Sequence, residues 1–108
     1  MKHYVVNVAH SVVLDIIEQV QFIQIDKPLA ASLWFDGLWE KIQSLDTFPH
    51  RHPIAASESQ AFDIEVRKLV FGNYLLLYTI DERNAHVEAV QFRHAARLPE
   101  NSEEAGLD

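Results

Sequence analysis

Apolar and polar positions repeat with two different periods along this chain. Residues 4–9, "YVVNVA", are rich in β-branched side chains and read as a short strand. Ser11 then stands where a helix N-cap would. Val13, Ile16, Ile17, Val20 and Ile23 recur at helical spacing with Asp15, Glu18, Gln19 and Gln21 between them, which predicts a helix over residues 12–24. Asp26 is the next N-cap candidate, with Pro28 in the first turn of a second helix that runs to Leu45. In it, Leu29, Leu33, Leu38, Ile42 and Leu45 are read as one apolar stripe, widened by Trp34, Phe35 and Trp39, and both tryptophans are expected in the core. So short a connection predicts an antiparallel helical hairpin. Gly37 weakens the second helix and is read as allowing close packing.

Residues 46–61 read as a loop. Three strand-like runs follow. "FDIEVRKLVF" leads through Gly72 and Asn73 to "YLLLYTI", and "DERNA" then leads to "HVEAVQF". Short links make these strands antiparallel neighbours. The order strand, helix, helix, strand, strand, strand predicts an α+β domain with the hairpin packed on one face of a small sheet.

The length of 108 residues suits one compact domain over residues 1–98, with residues 99–108 as an acidic tail that lacks apolar anchors and is expected to fray. The chain has no cysteine, which removes disulfides, thiolate metal sites and a thiol nucleophile, and fits a reducing cytoplasm. Its first ten residues are too short and interrupted for a signal peptide, and "VRKLVFGNYLLLYTI" is too broken by Arg67, Lys68 and Gly72 to span a membrane. The net charge of −7 argues against generic nucleic-acid binding. It is unevenly spread. Residues 66–98 carry five bases against three acids, so a local basic patch on the C-terminal strands stays open.

The order of elements, together with "FPHRHP" after the second helix, "VRKLVFGNYLLLYTID" and "VQFRHAAR", resembles the RelE/ParE superfamily of type II toxins, also known as plasmid stabilisation proteins. The resemblance covers residues 3–98. It implies a twisted sheet with the hairpin on one face and functional residues on the concave opposite face. It also implies neutralisation by a cognate antitoxin that wraps an extended segment and a helix over the toxin. The RelE branch cleaves mRNA on the ribosome, and the ParE branch poisons DNA gyrase. This sequence lacks lysine across residues 42–66, follows Tyr74 with Leu75 where an arginine is usual, and has no tyrosine after Tyr78. RNA cleavage by 2′-hydroxyl attack needs a proton acceptor, a proton donor and a cation for the phosphate. The gaps therefore favour the ParE branch, with a RelE-like mRNA endonuclease and a degenerate, non-toxic interaction module of the same fold as alternatives. No cofactor is implied, and homo-oligomerisation stays open.

Within "FPHRHP", His50 and His52 offer two imidazoles where a metal site wants three or four ligands. The two prolines favour a stiff turn, with Arg51 at the rim of a binding surface as the functional variant. Arg67 occupies a position that is usually basic in the family. Its choices are target binding or catalysis on one side and a salt bridge to Glu65 on the other. Strand alternation places it with Glu65 and Leu69, opposite Val66 and Lys68. Arg93, His94 and Arg97 form a cationic strand end suited to a phosphate or an acidic partner, with His94 also a candidate acid or base. Tyr78 shares a face with Tyr74. It is a binding candidate at the concave face or a core residue whose hydroxyl finds a partner.

Overall fold

The computed structural model describes residues 1–96. A first strand, β1 (Val5–Val8), leads into α1 (His10–Asp26) and α2 (Pro28–Gln43). Two single 3-10 turns follow, Ser44–Asp46 and Pro49–Arg51, and then a short helix, α3 (Ala56–Phe62). The chain closes with β2 (Arg67–Phe71), β3 (Tyr74–Asp81) and β4 (His86–His94). The four strands lie in the order β1-β4-β3-β2, with β1 parallel to β4 and the other pairs antiparallel. This is the α+β arrangement that the element order predicts. The expected tail, residues 99–108, lies outside the described residues.

Local hydrogen bonding moves several predicted boundaries. Ser11 is not the cap of α1. The Ala9 N–H donates to the Ala89 carbonyl at 3.0 Å, so sheet pairing runs up to the helix start, and the Val12 and Val13 amides close on the Ala9 carbonyl. Asp26 is likewise not a cap but the last residue of α1. Lys27 alone joins the two helices: its N–H donates to Ile23 and its carbonyl accepts from Ala31. The second helix stops at Gln43 and tightens into the first 3-10 turn, where the Ser44 hydroxyl donates back to the Lys41 carbonyl at 2.6 Å.

The buried stripe of α2 is Ala31, Leu38 and Ile42, with Trp34 packed against it. Leu29 and Leu33 are exposed (73% and 65%) because five residues from Leu33 to Leu38 turn the helix by about 140°. Trp39, expected in the core, is 43% exposed and stacks on Phe35. Gly37 does serve close approach: a Cβ there would stand 3.3 Å from the Phe71 ring.

The hairpin covers one face of the sheet. Val12, Ile16, Leu38, Ile42, Leu45, Leu69, Leu76, Tyr78, Val87, Ala89 and Phe92 form the main core there. A smaller cluster of Ala55, Val66 and Leu77, with Val90, occupies the opposite face beneath α3. That helix falls inside the stretch read as loop. It also shortens the run "FDIEVRKLVF" at its start, because Phe62 ends the helix and Asp63 turns the chain with φ +58°. The β2–β3 hairpin turns at Gly72 with φ +57°, a conformation open to glycine. In the β3–β4 turn the Asp81 carboxylate accepts from the Asn84 backbone and side-chain amides at 3.2 and 2.8 Å.

Candidate functional site

The structure divides the candidate residues into two groups at separate parts of the sheet. The first gathers around "FPHRHP". Phe48 adopts a left-handed φ of +46°, and Pro49–Arg51 form one 3-10 turn, so the segment is a stiff turn. Three cationic and phenolic side chains hold it. Arg51 donates to the carbonyls of Ser44, Thr47 and Phe48 at 3.3, 2.8 and 3.1 Å and to the Ser44 hydroxyl at 2.7 Å. Arg67 donates to the carbonyls of His50 and His52 at 3.0 and 2.7 Å and also lies 3.5 Å from Glu65. Tyr78 is fully buried, and its hydroxyl donates to the Pro49 carbonyl at 2.5 Å. Arg67 and Tyr78 are direct partners across β2 and β3, so adjacent strands grip the same turn.

Burial pushes the Tyr78 phenol up to about 12, against the opposing pull of Arg67 and Arg51. A phenol so placed is a poor proton acceptor near neutrality. Burial also lowers His52, helped by Arg51 and Lys41, which favours the neutral ring that stands edge-on to Tyr78. His50 turns away from His52 toward Glu82, 3.3 Å from its carboxylate. No group of three or more His, Asp or Glu among the described residues is placed to hold a metal ion.

Glu82 belongs to a network that single-residue reasoning missed. Its carboxylate accepts from the Tyr4 hydroxyl at 2.7 Å and from Lys2 at 3.0 Å, beside His50. The hydrogen bond from Tyr4, then that from Lys2, hold Glu82 below the usual carboxylate range. The β3–β4 turn is thereby tied to the N-terminal strand and to "FPHRHP". No local pattern announces this, since Tyr4 and Glu82 are 78 residues apart.

The second group lies where β4 ends. One extra residue, Val90, interrupts the register between Leu77 paired to Gln91 and Tyr78 paired to Ala89. The bulge keeps Phe92 on the hairpin side with Val87 and Ala89 and turns Arg93 to the other face. There Arg93 is buried, 6% exposed, and paired with Glu58 of α3, itself 8% exposed. Its Nε also donates to the Gln91 side chain at 3.3 Å. Arg93 is thus an internal cation, unlike its neighbour His94, which is exposed and edge-on to Tyr74. The His94 Nδ1 accepts from the Ala96 amide at 3.2 Å. Arg97, the third member of the predicted cationic strand end, lies outside the described residues.

A four-stranded mixed sheet with a helical hairpin on one face, entered by one strand and completed by three, defines the RelE/ParE-like α+β class. Residues 6–99 match the family model for the ParE toxin of type II toxin-antitoxin system, parDE. The chain belongs to that family, within the ParE branch of the superfamily, and membership implies a cognate antitoxin as partner. No curated protein matches the chain. No helix among the described residues is long and apolar enough to cross a membrane.

Proposed function

We propose that this chain arrests growth by binding a cellular protein, with DNA gyrase the target, and that a cognate antitoxin neutralises it by covering its surface. The reading rests on family membership and on one structural observation. Three side chains nominated for chemistry or recognition are engaged inside the scaffold: Arg67 with the turn carbonyls, Tyr78 with Pro49, and Arg93 with Glu58. An RNA-cleaving site would present a free cation and a proton acceptor to the scissile phosphate. The described residues bring no such pair together at Arg67 and Tyr78, which supports binding over strand cleavage. The test is induction of the chain alone in a bacterial culture that carries a DNA-damage reporter. Growth arrest with the reporter on is expected. Arrest with the reporter off and cut transcripts would favour the endonuclease, and unimpeded growth with abundant folded protein would favour the non-toxic interaction module.

A further inference from the structure

A cleft of about 350 Å³ lies between α1 and the end of the sheet where β3 begins and β4 finishes. Asp15, Glu18 and Gln19 line it from α1. Their spacing of three and four residues places them on one helix face. Facing them, Tyr74 and Phe92 stack with ring planes 10° apart and centroids separated by 5.2 Å, and His94 closes the end edge-on to Tyr74. Asp15 and Glu18 form no ion pair or hydrogen bond with any other described side chain, whereas Glu58, the acid beneath the end of β4, is paired with Arg93. Arg93 also lines the cleft, but its guanidinium is held by Glu58 and Gln91. The His94 Nδ1 accepts a hydrogen bond from the Ala96 amide. The charge that α1 brings to the opening is negative.

Two unpaired carboxylates beside aromatic faces make a setting for a planar cation. A guanidinium stacks on an aromatic ring while its fork donates to a carboxylate, a combination that an ammonium satisfies less completely. The cleft volume is within the range of sites that enclose a small ligand group. We propose that this cleft receives an arginine side chain projecting from the antitoxin. Stacking on Tyr74 and pairing with Asp15 and Glu18 hold it. The inference rests on the antitoxin reading above for the identity of the chain that carries the arginine, and on the cleft alone for the chemistry.

Two measurements separate those parts. The first is an NMR titration of the whole chain with arginine amide, with lysine amide and sodium chloride at matched ionic strength as references. Saturable shifts at Tyr74, Phe92 and His94 with arginine amide are expected, weakened by about tenfold or more in an Asp15→Asn, Glu18→Gln double variant. Equal responses to all three additives, or a response unchanged in the variant, would overturn the guanidinium site. Both residues are exposed, so the variant is expected to keep the wild-type amide spectrum. The second is co-purification with the product of the adjacent gene. Affinity lower by about tenfold in the double variant supports the arginine contact. Undiminished affinity assigns the antitoxin to another surface. Failure of the wild-type chain to retain any such product overturns the antitoxin reading, while the titration still decides the cleft.

Discussion

Glu58 and Arg93, thirty-five residues apart in sequence, form a buried ion pair that fastens α3 to the far end of β4. Neither side chain exposes more than a tenth of its surface. Removing one partner therefore leaves a charge in a place that water does not reach. Glu58→Gln is expected to destabilise the fold by about 3–5 kcal/mol, and Arg93→Met by a similar amount. The paired replacement Glu58→Leu with Arg93→Met is expected to recover much of that loss, because an apolar pair removes both desolvation penalties. Urea denaturation of the two singles and the double, read as a mutant cycle, checks it.

Tyr78→Phe keeps the ring and removes only the donor to Pro49. The carbonyl is left buried without that partner, and the expected loss is about 1–3 kcal/mol. The same tyrosine sets an alkaline limit. Its folded value of about 12 lies above the ordinary 10.0, so the native state holds its proton where the unfolded chain has lost it. The contribution is complete below pH 10 and falls away as pH rises toward 12. Ultraviolet titration of phenolate formation, compared between wild type and Tyr78→Phe, is expected to lose its latest-titrating step in the variant.

Arg67→Lys retains the charge and loses the planar fork that reaches two carbonyls at once. The "FPHRHP" turn is expected to loosen, with stability lower by about 1–3 kcal/mol and faster amide exchange across residues 50–54. Equal exchange in wild type and variant would show that the prolines hold the turn without help.

Glu82 gives the opposite pH dependence from Tyr78. Its folded value is depressed, first by Tyr4 and then by Lys2, so its contribution is present above the unfolded carboxylate value of 4.5 and lost as pH falls through the folded one. Glu82→Gln is expected to flatten the acid limb of the stability profile. Tyr4→Phe is expected to flatten it in part, since Lys2 still pairs with the carboxylate. Thermal melts between pH 3 and 6, on the order of the carboxylate range, read both.

Element order and class were legible because each period was sustained over many residues. The hairpin and the three closing strands needed no tertiary information. What periodicity missed depended on the rest of the chain. Leu29 and Leu33 look like core residues until the helix is rotated to place Trp34 and Leu38 against the sheet. The short α3 is masked by a polar "AASESQ" whose stabilising partner, Arg93, comes much later. At the candidate site, alternation correctly put Arg67 with Leu69 and Tyr74 with Tyr78 on common faces. It misleads at Arg93, because the single extra residue at Val90 reverses the faces beyond it. The role of "FPHRHP" as a rigid turn was readable from its prolines. That three candidate side chains would be directed at its carbonyls was not.

The parallel pairing of β1 with β4 also has a meaning in time. Among the described residues the first strand has its neighbour in the last, and only through that strand does β1 join β3 and β2. A nascent chain that stops at β3 lacks the strand that joins β1 to β3, and the long separation of β1 and β4 makes their pairing a late step. For a member of this toxin family, the four-stranded sheet is completed only once β4 has been made. A chain cut before β4 is therefore expected to leave β1 outside the sheet and the main core without Val87, Ala89 and Phe92.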